Sequence, residues 1–302
     1  MRTIEEVIKN VTAPDEQMFQ AAEARWNTVA KPLGGLGVFE EMITRIAALR
    51  GSPDFRLAQR ALLVFCSDNG VVAEGVTQTD SSVTQKMAAA IAAHRSSVCL
   101  MASVTNADVF AVDIGMNERV ETVRDMHVAD GTENIACGPA MTREQACQAI
   151  RTGIDLVREA KDQGYQIVVT GEMGIGNTTT SSAVTSVLLG MDPDSVTGRG
   201  AGLSDEGLAR KRAAIRRAIE VNAPDKDDPL DVLAKLGGYD IAGMCGIFLG
   251  GALYRVPILI DGLISSASAL IAARLCPGAK CAMIASHCSA EPAATAILQE
   301  LG

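Results

Sequence analysis

In residues 1–50 the apolar positions recur at helical spacing. Thr3 with Glu6 makes a capping-box pattern that opens a helix over 4–11. Asp15 can cap a second helix running to about Val29. Lys31-Pro32-Leu33-Gly34-Gly35-Leu36-Gly37 is a turn-rich break, and a third helix follows over 38–49. From Ala61 onward the pattern changes to short apolar runs that end in glycine-rich turns. The runs at 61–66, 108–113, 166–170, 257–261 and 281–285 predict strands. Most are apolar on consecutive residues, as parallel strands covered on both faces are. Helical patterns at 82–94, 142–163, 177–189, 205–221 and 241–253 lie between them. This alternation predicts an α/β fold with a doubly wound parallel sheet. The charged stretch 222–229 reads as a connection, and no internal repeat is visible.

Composition narrows the function classes. The 302 residues carry a net charge of -9, with aromatics at only 3% and one Trp. A nucleic-acid partner would need basic surface and stacking aromatics, so none is expected. An anionic membrane is excluded as a partner on the same charge argument. The most apolar stretch, 245–273, is interrupted by Arg255 and Asp261, so no bilayer-spanning segment is expected. The eight cysteines form no C-x-x-C pair and there are only three histidines, which gives no zinc spacing. They read as reduced thiols of a cytoplasmic protein.

Ligands of doubly wound sheets bind at the carboxyl ends of strands, and five segments there could carry chemistry. In Val168-Val169-Thr170-Gly171-Glu172-Met173-Gly174-Ile175-Gly176-Asn177-Thr178-Thr179, a strand enters a glycine-rich turn and then a helix capped by Asn or Thr. Exposed N–H groups and the helix dipole there would hold a phosphate. The segment is neither a P-loop nor a dinucleotide fingerprint, which leaves an oxidoreductase reading resting on fold class alone. Glu172 beside such a cradle suits a cationic, oxocarbenium-like sugar. After the first strand come Ser67-Asp68-Asn69-Gly70-Val71 and Val83-Thr84-Gln85-Lys86-Met87; Thr77, Ser81 and Gln85 are spaced by four and would share a helical face. Gly198-Arg199-Gly200 precedes a basic helix for which Ser204 is a suitable cap and in which Lys211 could reach an anion. Asp261-Gly262 ends a strand, and so does Ser286-His287-Cys288-Ser289-Ala290-Glu291, where Ser289 would cap a helix. A Ser-His-Glu triad is rejected, since sequence neighbours rarely reach triad geometry. His94 and His127 are expected to be non-catalytic.

These stretches, in this order and over nearly the whole chain, resemble the nicotinate-nucleotide–dimethylbenzimidazole phosphoribosyltransferases. Gly171-Glu172-Met173-Gly174-Ile175-Gly176-Asn177-Thr178-Thr179 is the most specific of them. The resemblance implies phosphoribosyl transfer from nicotinate mononucleotide to a benzimidazole, with inversion at the anomeric carbon. The products would be nicotinate and α-ribazole phosphate, a precursor of the cobamide lower ligand. It also implies a homodimer, no metal or organic cofactor, and a Rossmann-like parallel sheet with a small helical domain, assigned here to 1–50 beside an α/β domain at 51–302. Carried over by position, Gly174, Ile175, Gly176, Asn177 and Thr178 would hold the nucleotide phosphate. Lys211 would add charge, while Gly200, Gly262 and Ser289 line the nucleotide site. Thr77, Ser81 and Gln85 would flank the incoming base, and Glu172 would stabilise the ribose cation.

Parts of the family pattern differ here. The usual general base is a Glu in Leu-Gly-Glu-Gly-Ser/Thr-Gly-Ala, a few dozen residues beyond the Ser-Ala-Glu segment, and this sequence ends at Leu301-Gly302 without it. Loss of a general base typically costs ~10²–10⁴-fold, so the expectation divides between weak catalysis, another carboxylate as base, and a protein that binds without turnover. Asn69 stands where a His is usual, and Asp240 where a Glu is usual.

Overall fold

Six strands form one sheet in the order β3-β2-β1-β4-β5-β6. They are β1 (Arg60–Ser67), β2 (Ala107–Gly115), β3 (Arg124–Asp125), β4 (Ile167–Met173), β5 (Ile258–Ile260) and β6 (Met283–Ala285). Every neighbouring pair is parallel. The structure is a computed structural model and describes residues 3–302. Three helices precede the sheet: α1 (Ile4–Asn10), α2 (Glu16–Trp26) and α3 (Val38–Arg50). The second stops three residues short of the expected end, where Val29 is half exposed and has no buried face to sustain it. α4 (Ser82–Ala92) and α5 (Ser97–Val104) connect β1 to β2, and α6 (Arg143–Asp162) leads into β4. Then follow α7 (Asn177–Leu189), α8 (Pro193–Val196), α9 (Asp205–Asn222), α10 (Pro229–Leu236) and α11 (Tyr239–Tyr254). α12 (Leu263–Leu275) and α13 (Pro292–Leu301) come after β5 and β6.

Side-chain alternation on β1 shows the double winding. Ala61, Leu63 and Phe65 enter the large core shared with α6 and α11, while Val64 and Cys66 enter a second cluster with Ala88, Ile91, Cys99 and Ala102 of α4 and α5. Helices therefore cover both faces, which is why the strand needs apolar residues at consecutive positions. α6 and α11 make the most extensive helix contact in the molecule. It is close because a Cβ on Gly153 would overlap the carbonyl oxygen of Gly243, and one on Gly246 would overlap that of Ile150. Ile4 and Val7 of α1 join the same core.

The stretch Ser82–Val104 is apolar and long enough in composition to cross a bilayer, which the sequence reading does not single out. It is not one rod: the helix ends at Ala92, His94 takes φ of 54°, and α5 starts afresh at Ser97. Stretch 245–273 divides among α11, β5 and α12 and is almost wholly interior.

The strand order reverses between β1 and β4, which are hydrogen-bonded neighbours in register from Arg60↔Ile167 to Cys66↔Met173. Such a switch point opens a crevice at the strands' carboxyl ends. The residues that emerge into it are Ser67 at the end of β1 with Asp68 and Asn69 after it, and Glu172 to Asn177 at the end of β4.

Candidate active site

The turn from β4 into α7 is built on two glycines. Gly176, the residue just before the helix, has φ of 98°, a conformation open to glycine and strained for other residues. At Gly174 a Cβ would lie 2.7 Å from Oδ2 of Asp240 and 2.8 Å from the carbonyl oxygen of Ser67. The helix has no side-chain cap, contrary to expectation. Asn177 turns its amide elsewhere: Nδ2 donates to a carboxylate oxygen of Glu172 and to Oδ2 of Asp240, the latter at 2.8 Å. Thr84 of α4 fixes the loop from the other side, its Oγ1 accepting the Ile175 N–H at 3.2 Å. Asn69 donates to the Ile175 carbonyl at 3.4 Å and leaves its own Oδ1 buried and unpartnered.

Two acids and one lysine titrate abnormally here. Burial and the neighbouring Asp240 carboxylate push Glu172 up to about 7, although the side chain keeps some contact with the crevice. Asp240, with no exposed surface, is pushed up to about 6 by burial, against the hydrogen bond from Asn177. Lys211 is also fully enclosed, and desolvation lowers it to about 8, opposed by the Glu291 carboxylate. Its Nζ donates to Thr178 Oγ1 at 2.9 Å and to the Gly198 carbonyl at 3.2 Å. Glu291 accepts the Gly200 N–H at 3.0 Å, and its second oxygen is buried without a partner.

A cavity of about 150 Å³ lies over this turn, lined by Thr77, Gly174 to Thr178, and Arg199 among others. It has backbone N–H groups at a helix start and one cationic side chain, Arg199, at its border, with Lys211 enclosed behind Thr178, a setting suited to an anion. Larger hollows exist elsewhere: one of about 620 Å³ beside Tyr165, and one of about 410 Å³ against Ile260 and Ala285 at the ends of β5 and β6, on the far side of the sheet from the β1–β4 switch point. Position at the switch point and the clustering of abnormal acids favour the smaller one.

Comparison with known proteins decides the lineage. A phosphoribosyltransferase family model matches residues 11–302. Nicotinate-nucleotide–dimethylbenzimidazole phosphoribosyltransferase from Clostridium tetani is 43% identical over 97% of this chain and 81% of its own length. The protein of the same name from Acetivibrio thermocellus is 42% identical over 98% and 85%. The chain belongs to the nicotinate-nucleotide–dimethylbenzimidazole phosphoribosyltransferase family. The crystal structure of such a phosphoribosyltransferase from Thermus thermophilus superimposes with a TM-score of 0.89 at 36% identity, covering 95% of this chain and 86% of that one.

Within this phosphoribosyltransferase the expected site residues separate into groups. Glu172, Gly174, Ile175, Gly176, Asn177 and Thr178 come together at the turn, with Lys211 and Gly200 against Thr178. Ser289 reaches this group through Glu291 but is not a helix cap: α13 starts at Pro292, and Ser289 Oγ accepts the Glu291 N–H at 3.3 Å. Ser204 does cap α9, accepting the Gly207 N–H. Gly262 begins α12 at the end of β5, one strand farther along the sheet. Thr77, Ser81 and Gln85 do not share a helical face. Residues 77–80 are irregular, with Thr77 Oγ1 bonded to the Thr79 carbonyl and Asp80 Oδ1 accepting the Ser82 N–H, so the helix starts only at Ser82. Thr77 lines the cavity, whereas Ser81 stands at the start of α4 and Gln85 lies on it. His127 bridges Asp113 and Asp130, a structural contact. The Glu291 carboxylate points to Gly200 rather than to His287, so no triad forms.

The expected set omits Thr84, Arg199, Asp240 and Glu291. Asp240 has two signals, its place after Gly237-Gly238-Tyr239 and the carboxylate expected at that position from the family resemblance. Its distance in sequence from Glu172 hides the contact.

Proposed function

We propose that this chain transfers phosphoribose from nicotinate mononucleotide to 5,6-dimethylbenzimidazole or a related flat base, releasing nicotinate and α-ribazole phosphate. The observation that carries the reading is the Gly174–Thr178 turn, with Glu172 on one side and Lys211 on the other, at the switch point of a sheet shared with the family.

The turn's N–H groups receive the phosphate, an anion at a helix start, and Lys211, enclosed behind Thr178 and Gly198, adds its positive charge without touching it. Thr178, Gly200, Gly262 and Ser289 border the nucleotide, and Thr77, Ser81 and Gln85 flank the base. The nicotinate ring nitrogen is cationic in the nucleotide, so the C–N bond breaks with its electron pair returning to the ring. The anomeric carbon becomes cationic, and the base nitrogen attacks from the opposite face, which inverts the configuration. A fixed Glu172 carboxylate stabilises that charge more in the transition state than in the ground state. The base attacks through the lone pair of its unprotonated ring nitrogen, and its other ring nitrogen then gives its N–H proton to solvent water. An exposed apolar strip at Val29, Leu33, Leu36, Val38 and Phe39 supports a homodimer, and eight free cysteines support a cytoplasmic setting.

The test is a product assay with nicotinate mononucleotide and 5,6-dimethylbenzimidazole, followed by chromatography and mass. α-Ribazole phosphate is expected from the wild type, with a drop of at least ~10²-fold in Glu172→Gln. Saturable nucleotide binding with no product would overturn the transferase reading in favour of a binding protein.

A further inference from the structure

Asp240 has no access to the crevice, so it touches no substrate. It nevertheless occupies the place behind Glu172. One amide nitrogen, Asn177 Nδ2, spends both its hydrogens on carboxylates, one of Glu172 and one of Asp240. The other Asp240 oxygen takes the Ile241 N–H at 2.9 Å. Two bare backbones close in on it: a Cβ on Gly174 would lie 2.7 Å from Oδ2, and one on Gly238 2.5 Å from Oδ1. This is a carboxylate held on every side, with its only ionisable near neighbour on the same amide being the acid that faces the crevice.

We infer that Asp240 is a positioning residue for the transfer: through Asn177 it fixes the Glu172 carboxyl, and its negative charge sets the pH at which Glu172 ionises. The inference rests on the reading of Glu172 as the group facing the ribose. Two carboxylates joined by one NH₂ group cannot both ionise freely, because like charges in a poorly solvated site repel strongly. The pair therefore gives up its protons in two separated steps, and Glu172 and Asp240 both titrate above ordinary carboxylates. Other groups act in the same direction from the surrounding elements. Asp261 after β5 raises Glu172 and Asp68 after β1 raises Asp240, while the buried Cys66 thiol of β1, pushed up by burial first and then by Asp113, Glu172 and Asp240, stays neutral and adds no charge. Against them stand only hydrogen bonds, from Asn177, from Gly174 to Glu172, and from the Asp240 and Ile241 backbone to Asp240. In Asp240→Asn the amide can still accept from Asn177, while the charge is gone.

The experiment has one arm without substrate and one with it. In the first, infrared pH titration of the free full chain follows protonated carboxyls, with Glu172→Gln to assign the signal. Wild type should show a Glu172 step near neutral pH, and Asp240→Asn should move that step to lower pH. In the second, the acid limb of kcat/KM should move the same way. Well below the limb, the variant-to-wild-type rate ratio should rise about tenfold for each pH unit that the limb moves. A uniform loss at all pH values with an unmoved Glu172 step would mean a merely structural role and would overturn the inference. Should Asp240→Asn not fold, Asn177→Ala replaces it: removing a donor that favours the ionised form should move the Glu172 step upward, and an unmoved step again refutes the link. A wild type that titrates as expected but makes no product would sink the transferase reading alone.

Discussion

At Gly176 the backbone takes a φ of 98° with Val72 and Asn69 close by, so the residue's identity is dictated by geometry as well as by ligand. Gly176→Ala should cost about 1–2 kcal/mol of stability, read as a lower urea midpoint, and should weaken nucleotide binding by reshaping the cradle. Lys211 offers a different handle. Its ammonium is desolvated and titrates near 8, so its charge is present at neutral pH and fades above that value. KM for nicotinate mononucleotide should therefore rise as pH climbs through about 8, and Lys211→Met should have a high KM that no longer varies there. A KM in wild type that stays flat across that window would remove Lys211 from the phosphate site.

At the scale of elements, the end signals do most of the specifying. Thr142 and Gln145 form a reciprocal capping box at the start of α6, and Thr142→Ala should cost about 1 kcal/mol by denaturant unfolding. The α6–α11 crossing is stricter. Gly246→Val would drive a branched side chain into the Ile150 carbonyl, and a loss of about 3 kcal/mol or more, or failure to fold, is expected. Much of this is legible in the sequence. Strands β1, β2 and β4 are long apolar runs, and α7 begins and ends between glycines, so its expected and observed bounds coincide. α12 escapes a reading by pattern because it follows β5 after only Asp261-Gly262, inside one continuous apolar stretch where no polar face marks a change of period. β3 has two exposed residues and no pattern at all. The phosphate turn is legible because its glycines and Glu172 are consecutive. The Asn177–Asp240 bond and the Glu291–Gly200 bond are not, since each joins residues distant in sequence and no local rule links them.

For the molecule as a whole, the buried ionisable groups make stability depend on pH in two windows. Glu172 and Asp240 bind protons more tightly folded than unfolded, so they favour the native state least once both are ionised. Their effect is to lower stability as pH rises from about 4, where the unfolded carboxyls ionise, through about 7. Lys211 acts in the opposite sense: its folded value is depressed, and the penalty for burying it eases between about 8 and 10.5. Urea midpoints should fall for wild type across the first window, and fall less in Glu172→Gln. The arrangement of the sheet has a further consequence, for time. Asn69 and Ile175 meet across the switch point although 106 residues separate them in the chain. β1 must wait for β4 before the crevice has a second wall, and closing so long a loop is slow. During synthesis the cradle cannot exist while only the first half of the chain has emerged, and β1 passes that interval with one apolar edge unpaired. The nascent protein is then most exposed to aggregation, and a chaperone that shields that edge would raise the yield of active enzyme without altering the finished site.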